Sequence, residues 1–228
     1  MTLDTSRAKR LTGWSMLFLL LFAASVPITL TGGFAWLDRS GYALLAGLNT
    51  PLVTDLMILF TTLGNGQVVL ALAACLLVIA VSLRHFAEAL AIILFLLLGD
   101  YLNDLLKEWF ARPRPAGLQL IPLPDSYSFP SGHAMISAPF YLFVAYLLDR
   151  LYRNRQLSRI LLPAAGVTAL LICASRIYLG VHYTSDVLAG ICGGAAWLFA
   201  VMALYEFALR GFFSRTRKTP PAFPLHRE

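Results

Sequence analysis

The chain has 228 residues, of which 58% are apolar and only 13% are charged, and its formal net charge is +6. This composition excludes an ordinary soluble domain and indicates an integral membrane protein. The basic residues are spread over short segments that flank apolar runs, so the positive charge reflects membrane topology, and nucleic acid is not expected as a partner.

Apolar segments follow one another along the chain, and a helix needs about 20 residues to cross the hydrocarbon of a bilayer. Gly64, Asn65 and Gly66 interrupt one long apolar run with residues that favour a turn. We therefore predict that 39–63 is a helical segment at the membrane interface that does not cross. The first apolar segment is too long for a typical cleaved signal peptide and is expected to be retained. Six spanning helices are predicted, at 14–36, 66–83, 86–107, 132–150, 159–178 and 184–208.

The predicted fold is therefore an all-α integral membrane protein whose six transmembrane helices form a bundle. Residues 1–215 are predicted to form a single membrane domain. The remaining segment, 216–228, combines proline and charge without apolar periodicity, and we expect it to be a disordered cytoplasmic tail. Cys75, Cys173 and Cys192 fall inside predicted spans, where they are expected to serve as packing residues.

Lysine and arginine are concentrated on one side of this predicted topology. Cytoplasmic loops close to spans are enriched in these residues, so the N-terminus, the 82–86 turn, the 149–159 loop and the C-terminal tail are assigned to the cytoplasm. The basic residues of that side are Arg7, Lys9, Arg10, Arg84, Arg150, Arg153, Arg155, Arg159, Arg210, Arg215, Arg217, Lys218 and Arg227. The others are Arg39, Lys107, Arg112, Arg114 and Arg176. Most of these others fall in two short polar stretches that the topology alone does not explain.

Three polar stretches come to the opposite, extracytoplasmic face in this topology. They read KEWFARPRP at 107–115, FPSGHA at 129–134 and SRIYLGVHYTSD at 175–186. The first follows the third span, the second opens the fourth, and the third connects the fifth to the sixth. Ionisable residues next to hydrocarbon are costly and usually mark a functional site. We therefore expect the three stretches to converge at this face.

The first stretch places two cations near the end of a helix. Pro113 and Pro115 bracket Arg114 and disfavour helix, so its guanidinium is held on a stiff loop beyond Lys107. Arginine binds two oxygens at once and lysine supplies a point charge, which together suit a phosphoryl group. A basic anchor for lipid headgroups is the alternative, and Arg112 fits either an accessory contact or such an anchor.

The second stretch opens a helix with Pro130, Ser131, Gly132 and His133. The Ser131 hydroxyl and the backbone N–H groups of a helix N-terminus can bind an anion, and Gly132 lets the backbone approach it closely. His133 would then lie beside the anion as a proton donor. The same residues also fit an ordinary helix start with an interfacial histidine.

The third stretch pairs a histidine with a carboxylate. His182 and Asp186 are four residues apart and share one face if the segment is helical. A carboxylate bonded to one ring nitrogen fixes the tautomer and leaves the other nitrogen as a base or nucleophile. Arg176 can reach the same anion from the end of the fifth span. A purely structural His–Asp pair is the alternative for this stretch alone.

Together the three stretches resemble the signature of the type 2 phosphatidic acid phosphatase superfamily, which includes bacterial lipid phosphatases and vanadium haloperoxidases. That signature is a Lys, six residues and Arg-Pro, then Pro-Ser-Gly-His, then Ser-Arg, five residues, His, three residues and Asp. Every position is matched, from Lys107 through Arg114, Ser131 and Arg176 to Asp186. Length and layout are similar to those of bacterial membrane members that act on phosphatidylglycerophosphate or undecaprenyl diphosphate.

The resemblance implies a role for each motif residue. His182 attacks phosphorus to give a phosphohistidine, Asp186 holds its ring, and His133 protonates the leaving oxygen and later helps to activate water. Ser175 matches the motif without a definite role. The residues implied in phosphate binding are Lys107, Arg114, Ser131, Gly132 and Arg176.

No metal or other cofactor is expected, because three cationic side chains supply the charge that magnesium provides in metal-dependent enzymes. The carboxylates Asp100, Asp104 and Glu108 near Lys107 leave a metal site as a minor alternative. The expected partners are a membrane lipid substrate and the bilayer, with no nucleic acid and no obligatory protein partner.

The resemblance implies a lipid phosphatase of the bacterial cytoplasmic membrane, with both termini in the cytoplasm and an extracytoplasmic active site. Phosphatidylglycerophosphate and undecaprenyl diphosphate are the expected substrates, and phosphatidic acid or lipid A phosphates are alternatives. A transporter of anions or lipids is an alternative from a different class, which buried charges and kinked spans permit. The haloperoxidase relatives are soluble, unlike this chain.

Overall fold

Helices dominate the computed structural model, which describes residues 5–117 and 119–209. The helices are α1 (Thr5–Leu30), α2 (Ala35–Ala46), α3 (Pro51–Leu63), α4 (Gly66–Ser82), α5 (Phe86–Ile93), α6 (Gly99–Phe110), α7 (Ala138–Tyr152), α8 (Arg155–Tyr178) and α9 (Thr184–Leu204). Three π-helical segments, Leu94–Leu98, His133–Ser137 and Tyr205–Leu209, join α5 to α6, precede α7 and follow α9. No strand occurs within the described ranges, which confirms the all-α prediction. The predicted tail, 216–228, lies outside the described residues.

The helices make this a multi-pass membrane protein. Five helical stretches are long and apolar enough to span a membrane, namely Ser6–Leu30, Phe86–Phe110, His133–Tyr152, Arg155–Tyr178 and Thr184–Phe207. A sixth span is formed only if α3 and α4 are taken together, across a bend of 51°. Large apolar side chains such as Leu20, Leu70 and Val167 are exposed on these helices, as expected for surfaces that face lipid.

The first span differs from its predicted limits of 14–36. It ends at Leu30 because Gly32 adopts a left-handed backbone with φ of 79°, a conformation that glycine tolerates and a continuing helix does not. At its other end the helix runs on through Arg7 and Arg10. Long basic side chains can extend from such a helix end towards the polar interface.

The region predicted as one interfacial segment, 39–63, instead forms α2 and α3, and α3 enters the bundle. The Thr54 and Tyr178 hydroxyls lie 2.7 Å apart beside the end of α8. Further along α3, the Leu63 carbonyl accepts a hydrogen bond of 2.7 Å from Tyr141, two turns into the α7 span. The predicted turn is confirmed, since α3 ends at Leu63 and the Asn65 side chain caps α4.

An apolar core lies between α5, α7 and α9. The rings of Phe95 and Phe143 stack with their centroids 4.8 Å apart. Phe95 belongs to the π-helical segment, and its carbonyl accepts a hydrogen bond of 2.9 Å from Trp197 of α9. Wider π-helical turns leave carbonyls available for such contacts, so this segment ties the third span to the last one.

Close packing of α9 against the start of the α7 span brings two predicted motifs together. A Cβ atom on Gly190 would lie 2.9 Å from the Ser131 carbonyl oxygen, so only glycine permits this approach. One turn earlier, the Ser131 N–H donates to the Asp186 carbonyl at 3.2 Å. The N-terminus of α9 and the Pro-Ser-Gly-His segment therefore share one end of the bundle.

Candidate active site

The three predicted stretches meet at this end of the bundle, as the predicted topology led us to expect. Arg114 Nη1 lies 3.0 Å from His182 Nε2, which joins the first stretch to the third. A Cβ atom on Gly132 would lie 3.7 Å from Lys107 Nζ, which places the second stretch beside the first. The site is thus built from the end of α6, the loop segments 112–114 and 126–132, the start of the α7 span and the connection between α8 and α9.

Carbonyl groups of two loops hold Arg114 in place. Its Nε donates to the Ser126 carbonyl at 2.7 Å and Nη2 donates to the Tyr127 carbonyl at 3.2 Å. Nη1 donates to the Val181 carbonyl at 2.9 Å. The Ser126 hydroxyl accepts from both cations of the motif, at 3.1 Å from Arg114 and 3.4 Å from Lys107. The guanidinium is therefore fixed beside His182 with Lys107 close by.

The contacts of His182 define its tautomer. A guanidinium only donates hydrogen bonds, so His182 Nε2 is the acceptor and Nδ1 carries the proton. On that side, Nδ1 lies 3.3 Å from the Ser128 hydroxyl and 3.6 Å from Asp186 Oδ2. Ser128 in turn donates to Asp186 Oδ2. The carboxylate therefore orients the ring partly through Ser128 and leaves the Nε2 lone pair facing the cations.

Burial keeps the His182 ring neutral. Removal of the ring from water, reinforced by the positive charges of Arg176 and Arg114, lowers the pKa of His182 to about 4, although Asp186 opposes the shift. At neutral pH the ring is uncharged, and its Nε2 lone pair can act as a nucleophile.

Asp186 is fully buried and held by several donors. The Tyr183 N–H donates to its Oδ2 at 2.9 Å, in a capping arrangement at the start of α9. Ser128 donates to the same oxygen, and Arg112 donates to Oδ1. These bonds satisfy a charge that would otherwise be costly to bury, and they fix the carboxylate next to the histidine ring.

Two buried hydrogen-bond donors of the motifs are available to bind an anion. Arg176 is 4% exposed and donates from Nη1 to the Thr61 hydroxyl. Its Nε and the fully buried Ser131 hydroxyl find no hydrogen-bond partner within residues 5–117 and 119–209. Buried donors without partners are unfavourable, and phosphoryl oxygens would satisfy both.

His133 is held by α3, an element outside the motifs. Its Nε2 lies 3.1 Å from the Thr61 carbonyl oxygen, which can only accept, so Nε2 carries a proton. Gly64 lies so close that a Cβ atom there would be 2.6 Å from His133 Cδ2. The break between α3 and α4 therefore packs directly against the second histidine, and Thr61 contacts both His133 and Arg176.

Arg112 and Ser175 are both engaged by groups of the protein itself. The Arg112 guanidinium is paired with the carboxylates of Asp38 and Asp186. The Ser175 hydroxyl donates to the Ile172 carbonyl of its own helix at 2.6 Å. The Ser175 hydroxyl is therefore bonded within the last turns of α8.

Sequence reasoning missed four residues that contact the motif side chains. They are Asp38 of α2, Thr61 of α3, and Ser126 and Ser128 of the loop before Pro130. Only the two serines carry a signal, because they precede the Pro-Ser-Gly-His motif by a few residues. Asp100, Asp104 and Glu108, the carboxylates considered for a metal, are exposed on α6.

The fold and this site define a class of protein: a multi-pass helical membrane protein with a histidine-centred, cation-lined site at one end of its bundle. Residues 88–210, just over half of the chain, match the PAP2 superfamily. The chain belongs to this superfamily, and its sequence relatives are phosphatases by name.

Individual relatives support this placement. The chain is 32% identical over 194 residues to phosphatidylglycerophosphatase B of Bacillus subtilis, an alignment that covers 83% of this chain and 92% of the relative. It is 24% identical over 200 residues to an undecaprenyl-diphosphatase of Sulfolobus acidocaldarius, covering 77% of this chain and 82% of the relative. A crystal structure of a transmembrane PAP2-type phosphatidylglycerolphosphate phosphatase from Bacillus subtilis superimposes with a TM-score of 0.73 at 28% identity, covering 91% of this chain and 99% of that one.

Proposed function

We propose that this protein is a membrane lipid phosphatase that hydrolyses the phosphate or diphosphate headgroup of a lipid through a phosphohistidine intermediate. The observation that carries the proposal is the neutral His182, whose unprotonated Nε2 lies 3.0 Å from Arg114. A nucleophile with its lone pair directed at a fixed guanidinium is arranged to attack the phosphorus of a group that this guanidinium binds.

In the first step, His182 Nε2 forms a bond to phosphorus and the bond from phosphorus to the leaving oxygen breaks. Arg114 exchanges its contact with Nε2 for a phosphoryl oxygen. The positive charge that develops on the ring is balanced by Asp186, through the Ser128 bridge and across 3.6 Å. His133 in its protonated form donates to the leaving oxygen.

In the second step, water attacks the phosphohistidine. Neutral His133 accepts a proton from this water, the nitrogen–phosphorus bond breaks, and inorganic phosphate leaves with His182 restored. Charge on the phosphoryl oxygens is stabilised by Lys107, Arg114, Arg176, the Ser131 hydroxyl and the Gly132 backbone. Fixed positive charge of this kind is the dominant contribution to catalysis of phosphoryl transfer.

The substrates best supported are phosphatidylglycerophosphate and undecaprenyl diphosphate. The names of two sequence relatives specify these lipids, and the crystal structure with a TM-score of 0.73 is of a phosphatidylglycerolphosphate phosphatase. Phosphatidic acid and lipid A phosphates carry the same reacting group and are the alternatives to be compared.

The distribution of arginines supports an extracytoplasmic site. At the end of the bundle away from His182, a recess between α1, α7 and α8 is lined by Arg7, Arg150, Arg153, Arg155 and Arg159. Cytoplasmic ends of membrane helices are enriched in such residues. We therefore place this end, with both termini, in the cytoplasm of a bacterial cell, and the active site at the outer face of the cytoplasmic membrane.

Purified protein in detergent is expected to release inorganic phosphate from these lipids in the presence of EDTA, because three side-chain cations supply the charge that the reaction needs. The four lipids should be offered in competition, with phosphatidylglycerophosphate or undecaprenyl diphosphate consumed first. The same assay on vesicles separates hydrolysis from transport. Lipid movement without phosphate release would assign the protein to the transporter class, and loss of activity in EDTA would contradict a metal-independent mechanism.

A further inference from the structure

The Arg112 guanidinium bridges two carboxylates that come from distant parts of the chain. Its Nη2 donates to Asp38 Oδ2 at 2.9 Å, and its Nη1 donates to Asp186 Oδ1. Nη1 also donates to the Ser185 hydroxyl at 2.8 Å, and the guanidinium lies 4.2 Å from the centre of the Tyr183 ring. The side chain is only 15% exposed, so these contacts are made largely out of water, where charge interactions are strong.

Asp38 completes a cluster that also contains Arg112, Ser185 and Asp186. Its Oδ1 accepts from the Ser185 N–H at 2.8 Å, and its Oδ2 accepts from the Ser185 hydroxyl at 3.0 Å as well as from Arg112. The carboxylate is 9% exposed. It therefore fixes the residue that directly precedes Asp186, while Arg112 fixes the Asp186 carboxylate itself.

The sum of charges in this cluster has a consequence for His182. Arg112 and Asp186 alone would form a neutral pair with little effect on a cation forming on the ring. Asp38 adds a second negative charge, so that two carboxylates and one guanidinium together carry one negative charge. That charge is what a histidine ring needs when it becomes positive on bonding to phosphorus.

We propose that Asp38 and Arg112 are positioning residues for phosphoryl transfer, acting through Asp186: Arg112 holds the carboxylate in place, and Asp38 keeps the cluster net negative towards His182. This inference rests on the proposed function, because it concerns the step in which His182 attacks phosphorus. The simpler possibility is that the same contacts only fasten α2 to the start of α9.

The decisive variants are Asp38→Asn and Arg112→Gln, with Asp55→Asn and Arg39→Gln as controls at exposed positions of α3 and α2. Each test variant is expected to lower kcat about 10- to 100-fold, by analogy with the loss of outer partners that orient metal ligands. KM should change less than about twofold, because neither residue contacts the substrate. The double variant should be no slower than Arg112→Gln alone, since the two residues act as one unit.

The pH dependence of kcat/KM separates this role from a structural one. Asp38→Asn removes a negative charge and so disfavours the protonated form of His182. The acid limb of the kcat/KM profile should therefore move to lower pH. Arg112→Gln removes a positive charge, so the limb should move to higher pH. The charged and titratable groups that face His182 are Asp186 of α9, Arg114 of the loop, Arg176 of α8 and His133 of the α7 span. All four are unchanged in both variants, and titration of the substrate phosphate is common to every protein compared.

Charge-retaining variants extend the test if a neutral substitution impairs folding. Asp38→Glu and Arg112→Lys should lower kcat through altered geometry and leave the acid limb where it is. Limb shifts in the same direction, or unchanged kcat with a raised KM, would overturn the proposal. The outcomes also distinguish failure of this inference from failure of the proposed function. If phosphate release by the wild-type protein does not depend on His182, the proposed function is contradicted. If the wild-type protein is active and the Asp38 and Arg112 variants keep its kcat and its pH profile, only the positioning role is contradicted.

Discussion

His182→Ala is expected to lower phosphate release from a lipid substrate by about 10⁴-fold or more, because removal of a covalent nucleophile eliminates the chemical path itself. The Ser128 hydroxyl beside His182 is bonded to Asp186. Initial rates at saturating lipid in detergent micelles measure the loss directly.

The control for this variant is His85→Ala, which removes a histidine at the opposite end of the bundle, in the turn between α4 and α5. It should retain activity close to that of the wild type. Thermal unfolding of both variants in detergent shows whether the bundle has formed. A folded His182→Ala protein with near wild-type rates would rule out the histidine as nucleophile.

Arg114→Lys is expected to reduce kcat by about 100- to 1000-fold, the cost of losing a fixed donor to charge that develops in a transition state. The guanidinium uses three nitrogens to hold the Ser126, Tyr127 and Val181 carbonyls as well as His182 Nε2. A lysine ammonium keeps the charge but cannot maintain this planar set of contacts. Steady-state kinetics should therefore show a loss mainly in kcat.

Arg39→Lys is the matched control, since Arg39 is exposed on α2 and lies outside the three motifs. It should leave both kinetic constants unchanged. If Arg114→Lys raised KM alone, the guanidinium would bind substrate and transition state equally and would not belong to the catalytic machinery described above.

Much of the bundle can be predicted from the lengths of the apolar segments and from the residues that end helices. The fifth predicted span, 159–178, corresponds to α8, which ends at Tyr178 as predicted. It begins earlier, at Arg155, because the Asn154 side chain accepts hydrogen bonds from the N–H groups of Gln156 and Leu157. Capping of this kind adds a polar first turn to the helix, and such a turn cannot be predicted from the pattern of apolar residues.

The meeting of the three motifs was also predictable, because helix connections at one end of a bundle must share a face. The partners supplied by α2 and α3 were not. Asp38 bonds to Ser185 and Arg112 at sequence separations of 147 and 74 residues, and an isolated Asp or Thr carries no signal of such a pairing. The entry of α3 into the bundle likewise depends on contacts with Tyr178 and Tyr141 that an apolar run alone does not specify.

The central claim is a covalent phosphohistidine at residue 182, and chemical identification of the phosphorylated residue tests it most directly. With a lipid diphosphate labelled on its terminal phosphate, the leaving group is itself a phosphate and can depart without a proton from His133. The His133→Ala variant should then accumulate the intermediate, because no group accepts a proton from the attacking water. After reaction with lipid carrying a radioactive phosphate, an alkaline quench preserves the nitrogen–phosphorus bond for peptide mapping. Label on the peptide that contains His182, absent in the variant that also carries His182→Ala, is the predicted result. Label on another residue, or turnover by the wild type with label remaining in the His182→Ala protein, would contradict it.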